Sequence, residues 1–130
     1  MQDILGKELE PLTDSEELVL KVIYSTDDNL ALNDVRDACN NKYGKAWAPQ
    51  TVSTFLARIV RKGYLESYRQ GRIFFYKPLI SREDFLKQKT GDFVDFWFKD
   101  NAGEMLESLV NTRALRDTEI SKIKELISTK

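Results

Sequence analysis

The sequence predicts a mostly α protein with one small β-hairpin, and three observations carry that prediction. Apolar residues recur at helical spacing through most of the chain. Between Tyr64 and Lys77 the pattern changes, to a run of aromatic and β-branched residues around Gln70-Gly71. Ser/Thr capping patterns and glycines mark where helices begin and stop. At 130 residues the chain suffices for one ordinary domain, or for a small domain plus an association segment. The pattern favours the second: an N-terminal unit over 10–80, closed by the hairpin, and a helical unit over 81–130.

The first helix opens at Leu12-Thr13-Asp14-Ser15-Glu16, where Thr13 caps free amides and Glu16 reaches back to the cap. Val19, Val22 and Ile23 form its apolar face, which ends near Ser25-Thr26-Asp27-Asp28. Leu30-Ala31-Leu32 predicts a stub of strand. Asn33 is the expected cap of the second helix, with Val35, Ala38 and Cys39 inward and Gly44 ending it. The third helix begins around Pro49, whose missing N–H is harmless in a first turn. Its residues Val52, Phe55, Leu56, Ile59 and Val60 lie at i, i+3, i+4, i+7 and i+8, one buried stripe, and Gly63 supplies a left-handed stop. Strands are expected over Tyr64–Arg69 and Arg72–Lys77, with Gln70-Gly71 as the turn and Pro78 closing the hairpin. Helical period returns at the capping pattern Ser81-Arg82-Glu83-Asp84, followed by Phe85, Leu86, Phe93, Phe96 and Trp97. Asn101-Ala102-Gly103 is the expected break. Two short amphipathic helices follow, one carrying Met105, Leu106, Leu109 and Val110, the other Ile120, Ile123, Leu126 and Ile127.

Composition narrows the function. With 42% hydrophobic and 32% charged residues the chain has the balance of a soluble folded protein. No apolar run approaches the roughly 20 residues of a bilayer span, and MQDILGKELE lacks the marks of a signal peptide, so no membrane partner and a cytoplasmic location are expected. Histidine is absent and Cys39 is the single cysteine, which removes the usual acid–base residue and a thiolate–imidazole zinc site within one chain. No nucleophile–base pair stands out, so neither an enzyme nor a bound cofactor is expected. Cys39, at helical spacing with Val35 and Ala38, reads as a small buried hydrophobe.

Charge is the informative feature. From Lys42 to Lys77 eight Lys or Arg stand against one acid, Glu66, in a chain whose overall balance is 20 basic to 21 acidic residues. A basic helix followed by a basic hairpin is the footprint of a duplex nucleic-acid reader. Opposite its apolar stripe the third helix offers Gln50, Thr51, Ser53, Thr54, Arg58 and Arg61, with no carboxylate among them. Gln pairs bidentately with adenine and Arg with guanine, while Thr and Ser donate to phosphates or bases. Arg69 and Arg72 flank the hairpin tip, where a β-ribbon touches phosphate or the minor groove. In the last third, Phe93, Phe96, Trp97, Leu106, Leu109, Ile120, Ile123 and Ile127 are more apolar surface than short helices hide, which predicts a homodimer. Two-fold pairing suits a helix-turn-helix reader of double-stranded DNA. The competing class is an interaction module whose basic face meets an acidic protein.

Several stretches together resemble the penicillinase/methicillin-resistance repressor family, which also contains copper-responsive repressors. They are Leu12-Thr13-Asp14-Ser15-Glu16, Trp47-Ala48-Pro49-Gln50-Thr51-Val52, Arg58-Ile59-Val60-Arg61-Lys62-Gly63, and Gly71-Arg72 with Tyr76-Lys77-Pro78-Leu79-Ile80-Ser81. The resemblance runs from about 10 to 128. It implies an N-terminal winged helix-turn-helix domain, a C-terminal helical dimerisation domain, and repression through a dyad-symmetric operator. It also places base and phosphate contacts on Gln50, Thr51, Ser53, Thr54 and Arg58, and the wing around Arg69 to Arg72. The chain departs from the family pattern at Ala48, where the family usually has Ser. It also lacks the Asn-Phe pair at which proteolysed members are cut, the matching stretch being near Ser108-Leu109. It ends Ile127-Ser128-Thr129-Lys130 without a cysteine-rich tail, so copper sensing by that route is not expected.

Overall fold

A computed structural model describes residues 9–129. Their elements, in order, are α1 (Asp14–Tyr24), β1 (Leu30–Ala31), α2 (Leu32–Tyr43), α3 (Pro49–Arg61), β2 (Leu65–Gln70), β3 (Ile73–Pro78), α4 (Arg82–Phe98), α5 (Ala102–Thr112) and α6 (Asp117–Ser128). They fall into two compact units that divide within α4, one up to Lys89 and one from Thr90.

In the first unit three helices pack against a three-stranded antiparallel sheet of order β1-β3-β2, the winged helix-turn-helix arrangement. Thr13 and Glu16 form the expected capping box: the Glu16 amide donates to Thr13 Oγ1 at 3.2 Å and the Thr13 amide to Glu16 Oε1 at 3.1 Å. The second helix starts two residues earlier than Asn33 implied. Its N-cap is Ala31, which lacks a side-chain acceptor, and the Asp34 carboxylate accepts from the Ala31 amide at 3.1 Å instead. Pairing of Leu30 and Ala31 with Tyr76 and Phe75 fixes the chain up to residue 31, so the helix begins directly where the ladder ends. Gly44, at φ 67, ends α2 as expected.

The end of α3 is built on Gly63, at φ 95. Its N–H donates to the Val60 carbonyl at 3.0 Å and the Tyr64 N–H to the Ile59 carbonyl at 3.2 Å, the paired bonds of a Schellman stop. Tyr64 and Ile59, both buried, supply the hydrophobic contact of that motif and turn the chain into β2. The hairpin register differs from expectation by one residue. Gln70 pairs with Ile73, so the loop is Gly71-Arg72 rather than Gln70-Gly71. The positive φ of 65 sits at Gly71, the first loop residue, where a type II′ turn requires glycine.

The core of this unit joins Val19, Leu20 and Ile23 of α1, Val35 and Cys39 of α2, and Val52, Leu56 and Ile59 of α3, with Tyr64, Leu65 and Ile80. Phe85, in the first turn of α4, belongs to it too: its ring lies 6.1 Å from that of Tyr24 and 6.0 Å from that of Tyr64. Tyr24 Oη donates to the Ile80 carbonyl at 2.7 Å and holds the entry to α4. Cys39 is fully buried and burial pushes its thiol pKa up, the behaviour of a packed hydrophobe rather than a redox sensor.

In the second unit α5 and α6 are short and amphipathic. The break before α5 spans Lys99 to Asn101, so it takes in Asn101 as expected but lies earlier than Ala102-Gly103. Lys99 and Asp100, neither of them glycine, take φ values of 50 and 66, and Asn101 then caps α5 by accepting from the Glu104 amide at 3.0 Å. Ala102 and Gly103 lie inside the helix. Of the described residues of this unit only Val94 is buried.

Candidate nucleic-acid interface

α3 has two faces of opposite character. Val52, Leu56 and Ile59 are buried, with Phe55 and Val60 partly so. Gln50, Thr54, Arg58 and Arg61 are exposed, and Thr51 and Ser53 are half-buried at the flank. The exposed face holds no acid, as the sequence implied. Thr54 Oγ1 donates to the Gln50 carbonyl at 3.1 Å, which leaves its oxygen lone pairs outward.

The angle at which α3 is presented is set by a clamp that the sequence did not disclose. The Asn40 side-chain amide accepts from the Trp47 N–H at 2.9 Å and donates to the Trp47 carbonyl at 3.0 Å, tying the last turns of α2 to the chain just ahead of the Ala48 N-cap of α3. The Trp47 ring then meets Phe55 edge-on at 5.0 Å, and Lys45 Nζ lies over it at 5.5 Å. Asn at that position had no pattern to distinguish it from any polar helix residue. At the helix start, Ala48 provides no cap and Pro49 has no N–H. The Gln50 N–H makes no bond among the described residues, so the positive end of the helix dipole is open.

The basic residues are not equivalent. Lys62, counted in the positive stretch, is buried: its Nζ donates to Glu16 Oε1 at 2.6 Å and to the Pro11 carbonyl at 3.0 Å. Burial would raise the Glu16 pKa, but the Lys62 hydrogen bond, the Thr13 amide and the charges of Lys62 and Arg58 together hold it below its ordinary value of 4.5. Arg61 stands 3.7 Å from Glu10 and is partly offset. Arg69 Nε donates to the Gly71 carbonyl at 3.2 Å and its guanidinium lies 5.6 Å from the Phe74 ring centre, so this residue braces the hairpin tip. Arg58 and Arg72 are exposed and make no ion pair among the described residues. They, with the Gln50 side chain and the hydroxyl oxygen of Thr54, are the exposed polar groups of the helix face and hairpin turn.

In the second unit, the expected association residues stand largely in solvent. Phe96 is 75% exposed, Trp97 67% and Ile127 62%, and Phe93, Leu109 and Ile120 are exposed as well. Leu106 and Ile123 differ, being partly buried where they line an apolar groove between α5 and α6. No helix among the described residues is long and apolar enough to cross a membrane.

Comparison with known proteins agrees with this architecture. The family model for the penicillinase repressor matches residues 12–129. The penicillinase repressor of Bacillus licheniformis is 26% identical over 121 residues, covering 93% of this chain and 92% of that protein. The methicillin resistance regulatory protein MecI of Staphylococcus aureus (strain N315) is 23% identical over 86 residues, 66% of this chain and 70% of the relative. The solved DNA binding domain of the repressor BlaI superposes with a TM-score of 0.51 at 32% identity, covering 60% of this chain and 92% of that domain. The match runs through both units, and the chain belongs to the penicillinase repressor family.

Proposed function

We propose that this chain is a transcriptional repressor that binds a dyad-symmetric DNA operator as a homodimer. The observation that carries the reading is the exposed face of α3, where Gln50, Thr54 and Arg58 stand in solvent with no acid among them. α3 lies in the major groove, with Gln50 and Arg58 on base edges and Thr51, Ser53 and Thr54 on bases or phosphates. Arg61 supplements the charge at the far end of the helix. The open amide of Gln50 takes a phosphate at the helix start. The β2–β3 hairpin is the wing: Arg72 reaches the sugar–phosphate backbone, and Arg69 shapes the tip from which it does so. The first unit reads DNA and the second holds two copies together through Phe93, Phe96, Trp97, Leu109, Ile120 and Ile127, with Leu106 and Ile123 behind them. Such a protein works beside the chromosome in the cytoplasm and catalyses nothing.

Family membership and the likeness to a DNA binding domain support the reading. Selection from a random duplex library tests it. The expected product is an inverted repeat with half-sites centred about one helical turn apart, or a small multiple of it. Enrichment of no sequence, or of asymmetric sites alone, would overturn it. The basic face would then belong to a protein-interaction module.

A further inference from the structure

Between α1 and the first turns of α4 lies a cavity of about 530 Å³, within the range of small-molecule sites. Leu18 and Tyr24 of α1 and Phe85 and Leu86 of α4 supply its apolar wall. Arg82 and Lys21 stand at its rim, as do Asp14 and the ion pair of Glu17 with Lys89, 2.5 Å apart. With Lys89 satisfied by Glu17, and Lys21 stacked 5.3 Å from the Tyr43 ring, Arg82 is the cation that has no partner among the described residues. An apolar pocket with an unpaired guanidinium at its mouth fits a ligand with an apolar body and one anionic end.

Two routes lead from the pocket wall to the C-terminal end of α3. Phe85, in that wall, packs on Tyr64, whose N–H closes the stop of α3. Glu17, at the pocket rim, neighbours Glu16, which holds Lys62 at the same end of α3. A ligand wedged between α1 and α4 therefore bears on the end of α3 through packing on one side and an ion pair on the other.

We propose that this cavity is an effector site for a small carboxylate with an aromatic or aliphatic body, and that its occupancy weakens DNA binding. The second clause rests on the function proposed above; the first does not. By linkage, DNA must weaken the ligand by the same factor that the ligand weakens DNA.

The test uses the full chain and two probes, 2-naphthoate and its neutral isostere 2-naphthamide, titrated by calorimetry without DNA. Naphthoate should bind about tenfold more tightly than the amide, the scale of one charged hydrogen bond. Arg82→Gln should remove that difference, and Leu86→Trp, a filling change at a position already 38% exposed, should abolish binding of both. Thermal melts of both variants check that they fold. Equal binding of acid and amide, no binding of either, or undiminished binding to Leu86→Trp would overturn the site. The last outcome would place the probe on the exposed aromatics of the second unit. Titration with selected operator then follows. Unchanged operator affinity with saturating naphthoate would overturn the effector role, whereas failure to bind any duplex would strike the proposed function and leave the calorimetric result standing.

Discussion

At the scale of single residues, position within the fold decides what each charge or amide can do. Gln50 sits exposed in the first turn of α3, opposite Val52 and Leu56. Gln50→Ala should lower affinity for the preferred operator by about 1–3 kcal/mol and relax preference at one base pair per half-site. Arg72 is a loop residue of the hairpin, where a guanidinium meets backbone before base. Arg72→Ala should weaken all sequences alike and flatten the salt dependence by roughly 0.9 log units for each phosphate that the guanidinium neutralises, twice that for a dimer. Titrating both variants against operator and scrambled duplex over a salt series separates the two roles. Equal weakening on both duplexes by Gln50→Ala, with altered preference in Arg72→Ala, would reverse them. The sequence exposed these residues through periodicity, because an amphipathic stripe also marks its opposite face. It could not rank the charges. Lys62 and Arg61 are adjacent in sequence, yet one is sealed against Glu16 and the other stands in solvent near Glu10.

Among the elements, α1 and α3 are joined by hydrophobic packing and by the buried Glu16–Lys62 pair. Local patterns predicted how these helices begin and end: Thr13 with Glu16 opens α1, and Gly63 stops α3. What escaped local reading depends on distant partners. The start of α2 is fixed by the β1–β3 ladder rather than by Asn33, and the hairpin turn by strand register rather than by the favoured Gln-Gly dipeptide. Glu16 serves both as cap and as ion-pair partner, and only the first role has a sequence signature. Replacing Lys62 by Met leaves a buried carboxylate unpaired, which should remove about 3–5 kcal/mol of stability at neutral pH in urea unfolding. The pH dependence follows from the sign of the shift. Glu16 is held below 4.5 in the folded chain, so its contribution is present above that value and is lost as pH falls through the depressed pKa. Without Lys62, desolvation dominates and raises the pKa, so Lys62→Met should lose less stability than the parent on acidification. Parallel acid limbs for the two proteins would show that the pair does not set the ionisation of Glu16.

For the whole molecule, the two units imply different needs. The first has a closed core, whereas the second keeps Phe93, Phe96, Trp97 and Ile127 in solvent. A patch of that kind is uncommon on a monomer and marks association. Where the chain is cut decides whether this can be tested. A cut at Ser81, where the capping pattern suggests a boundary, removes Phe85 from between Tyr24 and Tyr64 and Lys89 from Glu17. A fragment ending at Lys89 keeps both. It should therefore melt at a higher temperature than one ending at Ile80, and sediment as a monomer while the full chain sediments as a dimer. Two linked reading heads gain on the order of 10²–10⁴ in affinity over one. The fragment should lose a factor in that range on the full operator and almost nothing on an isolated half-site. Phe96→Ser with Trp97→Ser in the full chain should reproduce the loss, since both side chains stand in solvent and their removal leaves the first unit intact. A fragment ending at Lys89 that still sediments as a dimer, with operator affinity unchanged, would move the dimer interface out of the second unit.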